Sequence, residues 1–380
     1  MRPFILLVSA LYLSGCFMFT DDGVISNPPD ELNDFNESIE LTTNWTTRLS
    51  GINTEQSSLT IANNEDSIFV ISGSNETASL NMLDGSINWT VSLAQRLVAG
   101  PAAANSSVYV GSADGTIFAL SASEGEELWS VELDKEIASP ISVSSQAIIF
   151  GTSDGTLYAL SPTNGSIIWN IQHEAPVLTV RGSTQSIISG NTIVAGFDSG
   201  RIGNYDLFSG VPLWEASVSI PAGTSQLERL VDVADKIALR GNTIYAVNAN
   251  GYVVAIDVNS GQMIWRQPIS SLQGLALGSN QVVVVNDDSD VIAFNMQTSE
   301  QAWAHEELTN RDLTAPAVVN QVAAFGDFEG YVHFLNLSDG SIAQRLSHGR
   351  ESIVIDPIAI DANIIVLSRD GLIASYSVAN

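Results

Sequence analysis

Self-similarity about every forty residues, one tryptophan per repeat and strand-forming runs without helical period predict an all-β fold, an eight-bladed β-propeller. The repeat is most regular at residues 154–169, which read Asp-Gly-Thr-Leu-Tyr-Ala-Leu, four turn-forming residues, Gly165 and, four residues on, Trp169. Near copies run from Asp114 to Trp129 and from Asn250 to Trp265. Looser ones run from Ala78 to Trp89, Ser199 to Trp214 and Ser289 to Trp303, and Gly330 to Gln344 puts Gln where Trp is expected. Trp45, Trp89, Trp129, Trp169, Trp214, Trp265 and Trp303 are all seven tryptophans, and Gln344 marks an eighth point. The spacings of 44, 40, 40, 45, 51, 38 and 41 residues vary as loops vary while strands stay constant.

Each repeat predicts four antiparallel strands. Ile141–Val143 and Ala147–Phe150 are apolar runs that suit buried strands. Thr156–Leu160, β-branched, aromatic and aliphatic, is the third. Ser153-Asp154-Gly155 supplies the positive φ of a tight hairpin before it. Thr163-Asn164-Gly165 turns the chain into a short outer strand that carries Trp169. The tryptophan of one blade is expected to cover the next. The ends complete the ring. Trp45 has no inner strands before it, and Gly371–Val378 is a third strand with no fourth after it. The last blade is therefore expected to be composite, closed by the N-terminal strand, which removes exposed sheet edges.

Residues 1–15 read as a signal peptide, with a basic start, the apolar run Phe4–Leu13 and small residues before the cut. Leu13-Ser14-Gly15-Cys16 resembles the lipobox of bacterial lipoproteins, which implies acylation at Cys16, the only cysteine. Phe17 is not the Asp of inner-membrane retention, so the resemblance implies an outer-membrane anchor with the propeller on the periplasmic side. Residues 16–40, rich in Asp, Asn, Pro and Ser, are expected to be a flexible tether, and 41–380 the propeller.

With 14 basic and 42 acidic residues the net charge is −28, which repels phosphate backbones and argues against nucleic-acid binding. His173, His305, His333 and His348 stand at no metal-ligand spacing and are expected as surface or turn residues. The Asp-Gly and Asn-Gly pairs fall at hairpin positions, where turn chemistry explains them. No catalytic motif, metal site or cofactor is expected. The repeat resembles that of the eight-bladed quinoprotein dehydrogenases, but their adjacent cysteine pair is missing, so fold alone carries no activity here.

Two blade connections break the pattern. Regular ones read Leu97-Val98-Ala99-Gly100-Pro101, Ile137-Ala138-Ser139-Pro140 and Leu313-Thr314-Ala315-Pro316. After Trp169 the segment becomes Val177-Leu178-Thr179-Val180-Arg181-Gly182, and after Trp214 it becomes Arg229–Asp235, preceded by an insertion around Ser219–Leu227. Equivalent positions in consecutive blades place them side by side on one face. Apolar residues beside Arg181, with carboxylates next to them, have the composition of a protein-binding hot spot. The alternative is an internal Arg181–Asp232 ion pair that steadies the blade junction.

Together the lipobox, the eight blades and these two stretches resemble the BamB lipoprotein family of the outer-membrane β-barrel assembly (BAM) machine. The resemblance implies a non-catalytic scaffold that docks on the periplasmic POTRA domains of BamA and serves nascent outer-membrane β-barrel proteins. It also implies a monomer within the complex. Carried over, Leu178, Val180, Arg181 and Asp232 would make the contact, with Asp235 replacing the acidic residue that Ala234 lacks. A channel ligand such as a sugar or peptidoglycan fragment, or a quinoprotein-type dehydrogenase, are the other readings.

Overall fold

The computed structural model describes residues 27–52, 58–173, 184–219, 231–233 and 236–379. Among these every regular element is a strand, and the strands form eight small antiparallel sheets in a ring. Blades 1 to 7 span residues 62–92, 97–132, 142–172, 187–217, 238–268, 275–305 and 317–347. Blade 8 joins residues 358–378 to Leu41–Arg48, as the two ends of the sequence predict. Leu41 pairs with Val378 and Arg48 with Leu372, so the N-terminal strand is the outermost strand of the last sheet.

The second and third strands of each blade are almost wholly buried, whereas the outermost strands are largely exposed, except that of blade 7, which is mostly covered. Side chains from the faces of neighbouring sheets interdigitate, so eight apolar clusters form among the described residues, one at each junction. Blade 3 meets blade 4 through Trp169, Ile149, Leu157, Ile193 and Tyr205, for example.

The tryptophans tie the junctions together. Each indole Nε1 donates to a backbone carbonyl in the turn between the third and fourth strands of the next blade, at 2.7–3.1 Å. Trp129 reaches Pro162 O, and Trp303 reaches Leu337 O. The ring lies over a residue of left-handed conformation in that turn, such as Gly165 at φ 71°. A Cβ there would sit 2.7 Å from the Trp129 ring, so the close approach needs glycine. Blade 6 places Ser299, at φ 62°, in the equivalent turn opposite Trp265.

Gln344 now has a reason. The third strand of blade 8 is 372–378 and its fourth is 41–48, so no turn joins them. A tryptophan in blade 7 would have no carbonyl to cap and no glycine to cover. Instead, Ile39 and Leu41 pack against the blade 7–8 cluster that contains Ala343.

The segment leading to Leu41 differs from the expected tether. Its described part, 27–40, runs along the outer side of blade 7. Asp30 N donates to Thr309 O at 3.0 Å, and Ser38 N donates to Ala343 O at 2.9 Å. Arg311 Nη1 donates to Asp30 O at 3.0 Å and Arg345 Nη1 to Asn33 O at 3.1 Å. Leu32 packs into the blade 6–7 cluster, and the Arg345 guanidinium lies 5.1 Å from the Phe35 ring centre. Polar composition reads as disorder, but half-buried Leu32, Phe35 and Ile39 suffice to fasten a short strap.

Candidate functional site

Connections from an outermost strand to the next innermost strand share one face of the ring. Here the two irregular segments leave blades 3 and 4. Leu178, Val180, Arg181 and Asp235 lie outside the described residues, as does Cys16. The flanks of both segments are described.

Asp232 is 2% exposed, between Val231 and Val233 that are buried at 3% and 2%. Val233 bridges Asn248, Asp232 O accepts from Ala249 N at 3.0 Å, and Val233 O accepts from Thr184 Oγ1 at 2.9 Å. Gly196 makes room for this crossing, since a Cβ there would lie 2.8 Å from both Thr184 Oγ1 and Val233 Cγ1. The start of blade 4 and the start of blade 5 are thus stitched together. Asp232, expected at a partner surface, is thus itself buried.

Directly before the first irregular segment stands a polar cluster that the sequence reading missed. His173 is half-buried, with its ring centre 3.9 Å from that of Phe197. Tyr205, wholly buried, donates its hydroxyl to Glu215 Oε1 at 2.9 Å, and Arg201 Nη2 donates to Glu215 Oε2 at 2.8 Å. Burial first, then the Glu215 carboxylate, pushes the Tyr205 hydroxyl far above its ordinary pKa, so it remains a donor. Burial also holds His173 below the ordinary imidazole value. The signal was local: Gly203 stands where blade 3 has Tyr158, and a Cβ there would sit 2.5 Å from Tyr205 Oη. The outer strand of blade 3 therefore ends at a fixed post from which the connection departs.

The other histidines correct the expectation of surface or turn residues. His333 and His305 are 0% and 8% exposed, and His348 is 4% exposed. His348 Nδ1 lies 2.8 Å from Tyr376 Oη and its Nε2 lies 2.9 Å from Leu372 O. His333 Nε2 lies 2.9 Å from Asp327 Oδ2, which also accepts from Arg311 Nε at 2.9 Å and Nη2 at 2.7 Å. Arg311, itself 2% exposed, pairs with Glu329 as well. Asp327 occupies the hairpin position of Ser112 and Thr152, and its Oδ1 still accepts the turn amides of Glu329 and Tyr331. Burial works against that carboxylate, but the bonds from His333, Tyr331 N and Arg311 more than offset it and hold its pKa low. The cluster is structural: every strong donor has an acceptor, and the strap closes over it.

On the same face as the irregular connections the central channel opens into a cavity of about 420 Å³, lined from six blades by residues including Thr60, Gln185 and Lys236. Lys236 Nζ meets Asp356 Oδ2 at 2.9 Å across it, and Ala315 N donates to Asp356 Oδ1 at 2.9 Å. Ser58 and Leu59 pair in parallel with Ala99 and Gly100, and Ser58 Oγ reaches Ala138 O at 3.0 Å. The chain's own segment thus crosses beside the mouth.

Comparison with known proteins agrees with this architecture. A family model described as outer membrane protein assembly factor BamB matches residues 74–305. The assembly factor BamB of Legionella pneumophila is 37% identical over 386 residues, covering 100% of this chain and 99% of that protein. That of Pseudomonas aeruginosa is 33% identical over 203 residues, 53% of each chain. With that and several other relatives the matched region spans about half their length. Among solved structures, BamB from Moraxella catarrhalis superposes with a TM-score of 0.82 at 26% identity, covering 89% of this chain and 100% of that one. A europium-containing methanol dehydrogenase, at 14% identity and a TM-score of 0.70 over 89% and 93% of the two chains, shares the fold alone.

Proposed function

The chain belongs to the BamB family of outer membrane protein assembly factors, and from that premise we propose a non-catalytic scaffold in the BAM complex. It is anchored to the outer membrane through acylated Cys16, with the propeller in the periplasm. It binds the POTRA domains of BamA and assists folding and insertion of β-barrel outer-membrane proteins. The observation that carries this reading is the break in an otherwise regular repeat at two adjacent junctions on one face. Leu178 and Val180 supply apolar anchors there, and Arg181 supplies a planar fork of donors for a carboxylate or carbonyl group. Asp232 and Asp235 complete the charge pattern, Asp232 from its buried seat.

The rigid ring gives such a contact its value. The bond from Thr184 Oγ1 to Val233 O ties the described flank of one junction to that of the other, which supports a contact made by both together. Capture of the BamA periplasmic region by Leu178→Asp and Arg181→Glu proteins tests the reading. Both should melt like the wild type and lose capture at least about thirtyfold, as loss of a hot spot worth about 2 kcal/mol or more requires. Undiminished capture by folded variants would remove these residues from the interface.

A further inference from the structure

The irregular connection into blade 5 is held at two points. Val231–Val233 form the first, through the bridge from Val233 to Asn248 and the bond from Thr184 Oγ1 to Val233 O. Lys236 forms the second. Its ammonium reaches Asp356 Oδ2 at 2.9 Å, which joins the start of blade 5 to the start of blade 8 across the channel mouth. Both ends of this brace rest on packed backbone. Ile355, beside Asp356, is 4% exposed and belongs to the cluster between blades 8 and 1. The other oxygen of the Asp356 carboxylate accepts from Ala315 N, at the start of blade 7, at 2.9 Å. Ile237, beside Lys236, is buried in the cluster between blades 4 and 5. Gly274, at the start of blade 6, lies so close that a Cβ there would come within 2.9 Å of Lys236 Cβ. The starts of blades 5, 6, 7 and 8 therefore meet at one ion pair.

Folding alone gives little reason for such a span. The two side chains are 28% and 31% exposed, and pairs so open to solvent contribute little to stability. Each junction between these blades already has its own apolar cluster. What the pair fixes is the end of the irregular connection, since only Ala234 and Asp235 separate Lys236 from Val233. We infer that Lys236 and Asp356 are positioning residues for the partner contact. The brace fixes the chain immediately after Asp235. It also draws the ammonium toward the channel, away from its neighbour in sequence, and so leaves the Asp235 carboxylate to a basic group of the partner. The inference rests on the proposed docking through this connection and adds to it two residues that do not themselves touch the partner.

Asp356→Asn tests it, because asparagine keeps an acceptor for Ala315 N and removes only the charge that holds Lys236. Capture of the BamA periplasmic region should weaken about three- to tenfold, the range expected for coupled neighbours, with an unchanged melting temperature. Lys236→Arg, which preserves the pair, should retain capture. In an Asp235→Asn background, Asp356→Asn should cost nothing further, whereas its effect should add to that of Leu178→Asp. Undiminished capture by Asp356→Asn overturns the inference. So does an equal loss in the Asp235→Asn background, because the pair would then act independently of that carboxylate. Capture that Leu178→Asp loses and Asp356→Asn keeps strikes the brace alone and leaves the docking reading standing. Capture that both variants keep strikes the two together.

Discussion

His348 shows what a single buried titratable group does in this ring. It sits between blades 7 and 8, where burial keeps its pKa below the ordinary 6.5, while Leu372 O and the nearby Asp370 favour the charged form and Arg48 opposes it. Tyr376 donates its hydroxyl to Nδ1, and burial pushes that hydroxyl up to about 12, so it stays protonated. In the unfolded chain the imidazole binds a proton near pH 6.5, whereas the folded chain resists it. The unfolded state therefore takes up more protons below that value, and stability falls as the pH drops. His173, His305 and His333 shift in the same direction. The melting temperature should accordingly decline between pH 7 and 5, and His348→Gln, which keeps a donor toward Leu372 O and an acceptor toward Tyr376, should flatten the decline. An unchanged slope in that variant would refute the assignment. None of this was legible beforehand, since burial of these histidines depends on partners such as Tyr376, 28 positions from His348, that no local pattern links to them. Asp327 is different: a carboxylate in a hairpin position that blades 2 and 3 fill with Ser or Thr was a visible anomaly six residues from His333.

At the scale of the element, the unit that matters is an indole clasped over the turn of the next blade. Its bond to a carbonyl contributes about 1 kcal/mol, and ring burial contributes more. This clasp was readable, because tryptophan and glycine recur at fixed offsets and each has a physical reason to be there. The glutamine at 344 was readable as an exception but not as a consequence, since its cause lies in the missing turn of blade 8. Two glycines separate the contributions of strain and contact. Gly165, at φ 71°, has the Trp129 ring 2.7 Å from a hypothetical Cβ, whereas Gly190, at φ 58°, has nothing within 4 Å. Gly190→Ala should cost only the left-handed penalty of about 1–2 kcal/mol. Gly165→Ala adds overpacking against the indole, about 1–3 kcal/mol more. Denaturant melts of both variants check the order, and equal losses would mean that the indole moves aside freely.

The whole molecule is held by two things at its N-terminal side, which the sequence presented very unequally. Closure by Leu41–Arg48 was legible from Trp45 and from the unpaired third strand at the other end of the chain. The strap was not, because its Asp, Asn, Pro and Ser content reads as solvated chain, and only Leu32, Phe35 and Ile39 hint at anchorage. Their energetic roles are distinct. The strand pairs along its whole length with residues 372–378, while its Trp45 covers the turn of blade 1. The strap adds three apolar anchors and accepts bonds from Arg311 and Arg345. Deleting residues 17–40 should thus leave a closed ring that melts cooperatively, destabilised by roughly 2–4 kcal/mol through lost apolar burial and an uncovered guanidinium. Deleting 17–48 also bares the edge of 372–378 and the blade 1 turn, so cooperative melting should vanish and aggregation should follow. Circular dichroism melts of the two proteins decide it. If the shorter deletion melts at the wild-type temperature, the strap contributes nothing to the body of the ring, and its bonds to blade 7 are incidental.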